Sequence, residues 1–110
     1  MNNGKSIRKK HNQYLFDAVK TFYEEPLVIT DGKGFHVSDC DGNNYLDFFG
    51  GILTVSVGHT NEEVNAAAKA QIDRLTHISS LYPSLPVVEL AERLTYLAPG
   101  NLEKVFFNAS

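Results

Sequence analysis

The stretch Gly34–Gly51, which reads GFHVSDCDGNNYLDFFGG, carries the clearest structural signal in the chain. Its centre, Asp41–Asn44, is a run of turn-forming residues between two short segments of strand-like composition. Upstream, the Asp-Gly pair within Asp31–Gly34 is typical of a tight hairpin turn. We therefore predict a small three-stranded antiparallel meander. Its strands are expected at Leu27–Thr30, Phe35–Asp39 and Tyr45–Phe48.

A long helix is predicted before the meander. Apolar side chains recur there at helical spacing, namely Ile7, Tyr14, Leu15, Ala18, Val19 and Phe22. Ser6 can cap the start of this helix with its hydroxyl group. Pro26 forces an end near Glu25, because the residue before a proline disfavours helical geometry.

Two helices and a strand are predicted after the meander. The segment Gly50–His59 has no clear period and is expected to be a buried extended loop. Thr60–Glu63 is a capping box, in which the threonine caps the first helix and the second glutamate reaches back. The second helix covers Val87–Ala98 and stops at Pro99–Gly100. The apolar run Lys104–Phe107 predicts a buried strand, which normally has neighbours in a sheet and so suggests a larger fold.

Composition and charge place the chain among globular proteins. It has 110 residues, a mass of 12.2 kDa and 43% hydrophobic residues, which suits one domain. A net charge of −3 argues against a nucleic-acid partner, because phosphate backbones require a basic face. No apolar run is long enough to span a membrane. A single cysteine, Cys40, and an N-terminus unlike a signal peptide fit a cytoplasmic location.

Established catalytic and metal-binding motifs are absent from the sequence. Asp39–Asn43 superficially resembles a calcium loop, but the glycine and glutamate that an EF-hand requires are missing, so we interpret it as a strand turn. Cys40 has no neighbouring group in the sequence that would activate its thiol. The four histidines lack metal-ligand spacing, and His59 is expected to be structural. We therefore predict no catalytic residue and no metal site.

From Pro26 onward the chain resembles the class III (subgroup II) aminotransferases, which use pyridoxal 5'-phosphate (PLP). The pattern D-x-D-G-x-x-Y-L-D-F-x-x-G with a downstream Gly-His is specific when its pieces occur in this order. The resemblance is strongest to the alanine–glyoxylate type, while ornithine, acetylornithine and ω-amino-acid transaminases share the outline. The matching stretches are Gly34–Gly51, ILTVSVGH (52–59), HISSLYPSLP (77–86), ELAERL (89–94) and VFFNAS (105–110).

This resemblance implies an α/β fold, specifically the N-terminal segment of a fold-type I PLP-dependent transferase. Residues 1–58 would then form an N-terminal helix and the small-domain β-meander. Residues 59–110 would begin the PLP-binding large domain, with two helices and the first strand of its sheet. The resemblance also implies a homodimer with active sites at the subunit interface.

The resemblance places five residues near the active site. Ile52 and Leu53 fall where the family lines the substrate entrance, although as apolar residues both could be plain core. Leu81 and Tyr82 fall in a loop that reaches toward the neighbouring subunit's site in relatives, and the tyrosine could instead pack a turn. Ser110 aligns with the serine that opens the PLP phosphate-binding turn at a helix N-terminus.

The implied activity is transfer of an amino group from an amino acid to a 2-oxo acid of the glyoxylate, pyruvate or 2-oxoglutarate class. The family's Schiff-base lysine lies well downstream of the matched region. Since transamination needs that lysine, we expect the 110-residue chain alone to be inactive. The alternative is a non-catalytic truncated module that acts through dimerisation or protein association, with its apolar helix faces as partner surfaces.

Overall fold

The computed structural model describes residues 3–109 of the chain. The chain divides into two compact units, one up to residue 69 and one from residue 70 onward. The domain boundary predicted after residue 58 concerns the complete fold and stays a prediction. In chain order the elements are α1 (Gly4–Tyr14), β1 (Ile29–Lys33), β2 (His36–Asp39), β3 (Asn44–Leu46), α2 (Gly50–Leu53), α3 (Glu62–Arg74) and α4 (Leu85–Leu97).

The three strands form the predicted antiparallel meander. β1 pairs with β2 and β2 pairs with β3, so the order in the sheet is β1-β2-β3. Lys33 lies opposite His36 in the first pair, and His36 lies opposite Leu46 in the second. The register shifts between Ile29 and Asp31, which indicates a bulge in β1. The predicted meander is therefore confirmed.

The first hairpin turn lies at Gly34–Phe35, so its predicted position at Asp31–Gly34 is wrong. Gly34 adopts a φ of 58°, in the left-handed region that glycine populates without steric cost. Asp31 and Gly32 belong to β1 instead. An Asp-Gly pair favours a turn in isolation, but here Gly32 is a strand residue that lies against the ring of His59.

The second turn is built around the carboxylate of Asp39, which is 6% exposed. Its Oδ1 accepts hydrogen bonds from the backbone N–H groups of Asp41 and Asn43, both at 2.9 Å. Its Oδ2 accepts from Nδ2 of Asn43 at 3.0 Å and from the hydroxyl of Tyr45 at 2.8 Å. These bonds, chiefly those from Asn43, lower the pKa of Asp39 to about 2. The stretch Asp39–Asn43 is thus a strand turn, as predicted.

The first helix is shorter than predicted: α1 ends at Tyr14, not near Glu25. Its N-cap is Asn3 rather than Ser6, since Oδ1 of Asn3 accepts a hydrogen bond from the backbone N–H of Ser6 at 2.9 Å. Apolar side chains beyond the helix, such as Phe22, are exposed. A helix gains most of its stability by packing its apolar face. Because the apolar side chains after Tyr14 are not packed, they do not extend α1.

The two later helices are confirmed as α3 and α4. The cap of α3 differs from the prediction, because Oδ1 of Asn61 accepts the N–H of Val64 at 3.1 Å. The hydroxyl of Thr60 instead donates to the carbonyl of Gly32 at 2.8 Å. Thr60 has a φ of 48°, whereas an N-cap residue is normally extended. Among residues 3–109, no helix is long and apolar enough to cross a membrane.

The strand predicted at Lys104–Phe107 does not form within the described residues. A strand is defined by a hydrogen-bonded neighbour, and the sheet contains β1, β2 and β3 alone. The segment Lys104–Phe107 therefore has no neighbouring strand to pair with in the part of the chain that the structure describes. Val105 and Phe106 instead line a cavity with Leu94 and Leu97 of α4.

The described residues bury no hydrophobic side chain, so they form no hydrophobic core. Val64 and Ile72 of α3 and Leu90 of α4 are exposed. The segment Gly50–His59 is also largely exposed, so its predicted burial is wrong. Its first four residues fold into a tight turn, so the predicted extended conformation is wrong there as well. Extensive exposed apolar surface marks faces that contact other protein.

Candidate functional site

The candidate site is built around a hydrogen bond between Asp47, which follows β3, and His59, which precedes α3. Nε2 of His59 lies 2.6 Å from Oδ2 of Asp47. Both side chains are partly buried, with 24% of His59 and 14% of Asp47 exposed. The hydrogen bond from His59 is the largest cause of a lowered pKa of Asp47. The pair thus joins segments that are 12 residues apart in the chain.

The backbone of His59 pairs with the tip of the first hairpin. Its N–H donates to the carbonyl of Gly34 at 2.7 Å, and its carbonyl accepts from the N–H of Gly34 at 3.0 Å. A Cβ atom on Gly58 would lie 3.1 Å from Cα of Gly34, and one on Gly32 would lie 2.9 Å from Cγ of His59. Glycine at both positions allows this close approach.

The second oxygen of Asp47 caps the segment that follows β3. Oδ1 accepts hydrogen bonds from the backbone N–H groups of Phe49 and Gly50, both at 2.9 Å. After the bond from His59, these two bonds are the next causes of the lowered pKa of Asp47. The carboxylate therefore connects His59 directly to the start of α2.

The element α2 is a left-handed turn. Its four residues all have positive φ, with 56° at Gly50, 58° at Gly51, 60° at Ile52 and 65° at Leu53. The N–H of Thr54 donates to the carbonyl of Gly50 at 2.9 Å and closes the turn. Left-handed geometry costs a residue with a side chain about 1–2 kcal/mol, and a β-branched residue is rare there. Such strain persists where the surroundings enforce it, and it clusters at functional sites.

The strained turn carries both residues predicted at the substrate entrance. Ile52 is 71% exposed and Leu53 is 84% exposed, so their side chains are open to contact. The hydroxyl of Thr54 donates to the carbonyl of Gly51 at 2.6 Å, and that of Ser56 donates to the carbonyl of Leu53 at 3.2 Å. The structure places the pair together on one fixed turn, and their role at the entrance stays a prediction.

A cavity of about 330 Å³ lies beside the Asp47–His59 pair. This volume lies within the range of small-molecule sites. Its walls contain no lysine within the described residues, so this cavity offers no amine for a Schiff base with PLP. Neither of the predicted entrance residues lines it. The lining residues are Gly34, Phe35, Asp47, Gly50, Val55, Ser56, Val57, Gly58 and His59.

The remaining predicted site residues lie elsewhere in the chain. Leu81 and Tyr82 are in the loop between α3 and α4, and both side chains are exposed. Ser79 shapes this loop, because its carbonyl accepts from the N–H of Tyr82 at 3.0 Å and its hydroxyl accepts from the N–H of Leu81 at 3.3 Å. Ser110 lies outside the described residues, and its role as a phosphate ligand stays a prediction.

Sequence reasoning missed the pairing of Asp47 with His59 and the left-handed turn between them. Two signals pointed in this direction. The doublet Gly50–Gly51 permits positive φ, and Gly58 before His59 permits a close backbone approach. Neither signal predicts that Ile52 and Leu53 also adopt positive φ, because residues with bulky side chains disfavour this region.

The chain matches known proteins over most of its length. Residues 19–110 match the family model described as aminotransferase class-III. The chain is 42% identical over 96 residues to the mitochondrial alanine–glyoxylate aminotransferase 2 of Pongo abelii, covering 87% of this chain and 19% of that protein. It is 43% identical over 89 residues to the acetylornithine aminotransferase of Myxococcus xanthus, covering 81% of this chain and 22% of that protein.

The fold is also similar to a solved transaminase. The crystal structure of an (S)-enantioselective omega-transaminase from Thermomicrobium roseum superposes with a TM-score of 0.81 at 33% identity, covering 94% of this chain and 25% of that chain. This likeness confirms the predicted fold class. The chain spans about a fifth of the length of the curated relatives, 19% and 22%. The predicted family is likewise confirmed, and the chain belongs to the class-III aminotransferases.

Proposed function

We propose that the full-length protein carrying this segment is a PLP-dependent aminotransferase. It would move an amino group from an amino acid to a 2-oxo acid of the glyoxylate, pyruvate or 2-oxoglutarate class. The observation that carries this proposal is the class-III match over residues 19–110. The chain covers only 19–25% of the length of the relatives compared, so the activity is proposed for the full-length protein.

This segment is proposed to supply part of the pocket wall rather than reacting groups. Ile52 and Leu53 are exposed on a strained turn, which is the arrangement expected of a fixed apolar surface that meets substrate. Leu81 and Tyr82 are exposed on a loop, as expected of residues that reach the partner subunit's site in a homodimer. Ser110 is proposed to bind the cofactor phosphate.

PLP would supply the electron sink that labilises the substrate's Cα–H bond. The cavity beside Asp47 and His59 does not provide its covalent anchor, because no lysine lines it. The resemblance implies that the Schiff-base lysine lies downstream of the matched region, so we place that anchor outside this segment. What the segment's own residues do is shape and hold an apolar surface.

Alanine with glyoxylate is the first pair of substrates to test. The 42% identity to an alanine–glyoxylate aminotransferase supports this choice. The comparable 43% identity to an acetylornithine aminotransferase makes acetylornithine with 2-oxoglutarate the second pair.

The test is a steady-state assay of the full-length protein loaded with PLP. Each donor is mixed with each acceptor, and the new amino acid and new 2-oxo acid are quantified. The proposal predicts equimolar products with at least one pair, well above the rate of PLP alone. A folded, PLP-loaded protein that forms neither product with any of the pairs would contradict it.

A second candidate function is a non-catalytic module that acts through association. The absence of any buried hydrophobic side chain among residues 3–109 favours it, because such surface is available to partners. Size-exclusion chromatography of the 110-residue chain separates the two. A monodisperse dimer favours the module, whereas soluble aggregate favours a segment that needs the rest of its fold.

A further inference from the structure

The left-handed turn of α2 needs support from outside its own residues. Ile52 and Leu53 both adopt positive φ, where side chains crowd the backbone. If the turn relaxed to ordinary backbone angles, both side chains would point in new directions. Something in the surroundings must therefore hold the turn in place.

The support at the start of the turn is the carboxylate of Asp47. Its Oδ1 binds the N–H groups of Phe49 and Gly50, both at 2.9 Å. Gly50 is the first left-handed residue of the turn, and Phe49 immediately precedes it. Fixing them fixes the direction in which the chain enters the turn.

His59 in turn fixes Asp47. Its Nε2 binds Oδ2 of Asp47 at 2.6 Å, which leaves Oδ1 to the backbone of the turn. His59 is itself held from two sides. Its backbone exchanges two hydrogen bonds with Gly34, at 2.7 and 3.0 Å, and its ring contacts Gly32. The rigid hairpin is thus connected through His59 and Asp47 to the turn.

We propose that Asp47 and His59 are positioning residues, whose hydrogen bond holds the left-handed turn so that Ile52 and Leu53 set which amino donors are accepted. This inference rests on the proposed aminotransferase function and deepens it. In this role Asp47 and His59 contact neither substrate nor cofactor. It acts on specificity through the direction of two apolar side chains.

The proposal is tested by substrate discrimination in the full-length protein. The donors are alanine, 2-aminobutyrate and norvaline, which differ by single methylene groups, with glyoxylate as the fixed acceptor. The readout is the ratio of kcat/KM between the shortest and the longest donor. A methylene in an apolar pocket changes this ratio on the order of tenfold, so a displaced wall is measurable.

The variants separate positioning from general destabilisation. His59→Ala and Asp47→Ala should shift the ratio on the order of tenfold, mainly through KM. His59→Gln and Asp47→Asn keep a hydrogen-bonding group in place and should return the ratio toward the wild-type value. Asp39→Asn is the matched control, because the Asp39 carboxylate also accepts two backbone hydrogen bonds but holds a different turn. It should lower thermal stability and leave the ratio unchanged.

Hydrogen exchange provides a readout that does not depend on turnover. The N–H groups of Phe49, Gly50 and Thr54 should exchange faster in His59→Ala, or in Asp47→Ala if the His59→Ala variant does not fold, and not in Asp39→Asn. The positioning proposal would be overturned if these three N–H groups kept their protection in the alanine variant. It would also be overturned if folded and active alanine variants showed an unchanged kcat/KM ratio between the donors. Either result would leave the aminotransferase proposal intact. A wild-type protein that transfers no amino group would overturn the proposed function instead.

Discussion

A Cβ atom on Gly32 would lie 2.9 Å from Cγ of the His59 ring, so the middle of β1 has no room for a side chain. The same strand residue accepts a hydrogen bond from the hydroxyl of Thr60 at 2.8 Å through its carbonyl. The first hairpin and the segment before α3 are therefore joined by contact as well as by hydrogen bonds. This junction fixes the histidine that binds Asp47.

Gly32→Ala should destabilise the full-length protein by about 1–3 kcal/mol, because the added methyl group overpacks the ring of His59. Thermal and denaturant unfolding measure the change. Asp31→Ala is the control in the same strand and should change stability by less than about 0.5 kcal/mol. In the double variant Gly32→Ala/His59→Ala the ring contact is gone, so the glycine substitution should have a smaller effect. Strictly additive effects would contradict the contact.

Ile52→Gly should leave the protein more stable than Ile52→Ala, by about 1 kcal/mol or more, because only glycine adopts positive φ without strain. Both variants lack the isoleucine side chain, so the comparison isolates the backbone. Ile72 in the right-handed helix α3 is the matched control, where glycine should be about 1 kcal/mol worse than alanine. If the alanine variant were more stable than the glycine variant at both positions, α2 would not be left-handed.

Acid should weaken the protein partly through Asp39. Its pKa is about 2 in the folded state, below its ordinary value of 3.8. A lowered pKa contributes stability that is fully present above about pH 4 and is lost as the pH falls toward 2. The unfolding temperature of the wild type should therefore converge on that of Asp39→Asn across this range. A constant difference between the two proteins from pH 5 to pH 2 would contradict this assignment.

The 110-residue chain alone should not catalyse transamination, because the resemblance implies that the Schiff-base lysine lies downstream of the matched region. The measurement is 2-oxo acid formation from alanine and glyoxylate with added PLP, compared with PLP alone. The full-length protein is the positive control. Formation of 2-oxo acid above the rate of free PLP would refute the prediction.

The local elements of the fold could be predicted from the sequence. The Asp41–Asn44 turn holds because Asp39 satisfies its backbone N–H groups within the same few residues. The helices α3 and α4 follow from apolar spacing that is carried by the helices themselves. The family could be predicted as well, because its pattern lies in one continuous stretch.

The features that could not be predicted depend on contacts between residues far apart in the chain, which sequence spacing does not reveal. Gly32 favours a turn by composition, yet it is a strand residue that pairs with Val37 of β2 and lies against the ring of His59. Thr60 has the composition of an N-cap, yet its hydroxyl is bound to the carbonyl of Gly32 and Asn61 caps α3. Ile52 is in a conformation that its side chain disfavours. In each case a tertiary contact outweighs a local preference.

The central claim, that this segment belongs to an aminotransferase, is tested most directly by separating the two half-reactions. Full-length protein loaded with PLP is mixed with alanine in the absence of an acceptor, and glyoxylate is added afterwards. The account predicts one equivalent of pyruvate per PLP site in the first step and one equivalent of glycine in the second. A folded, PLP-loaded protein that releases pyruvate from neither alanine alone nor alanine with glyoxylate would contradict the account for this pair of substrates. The same failure with acetylornithine and 2-oxoglutarate would contradict it altogether.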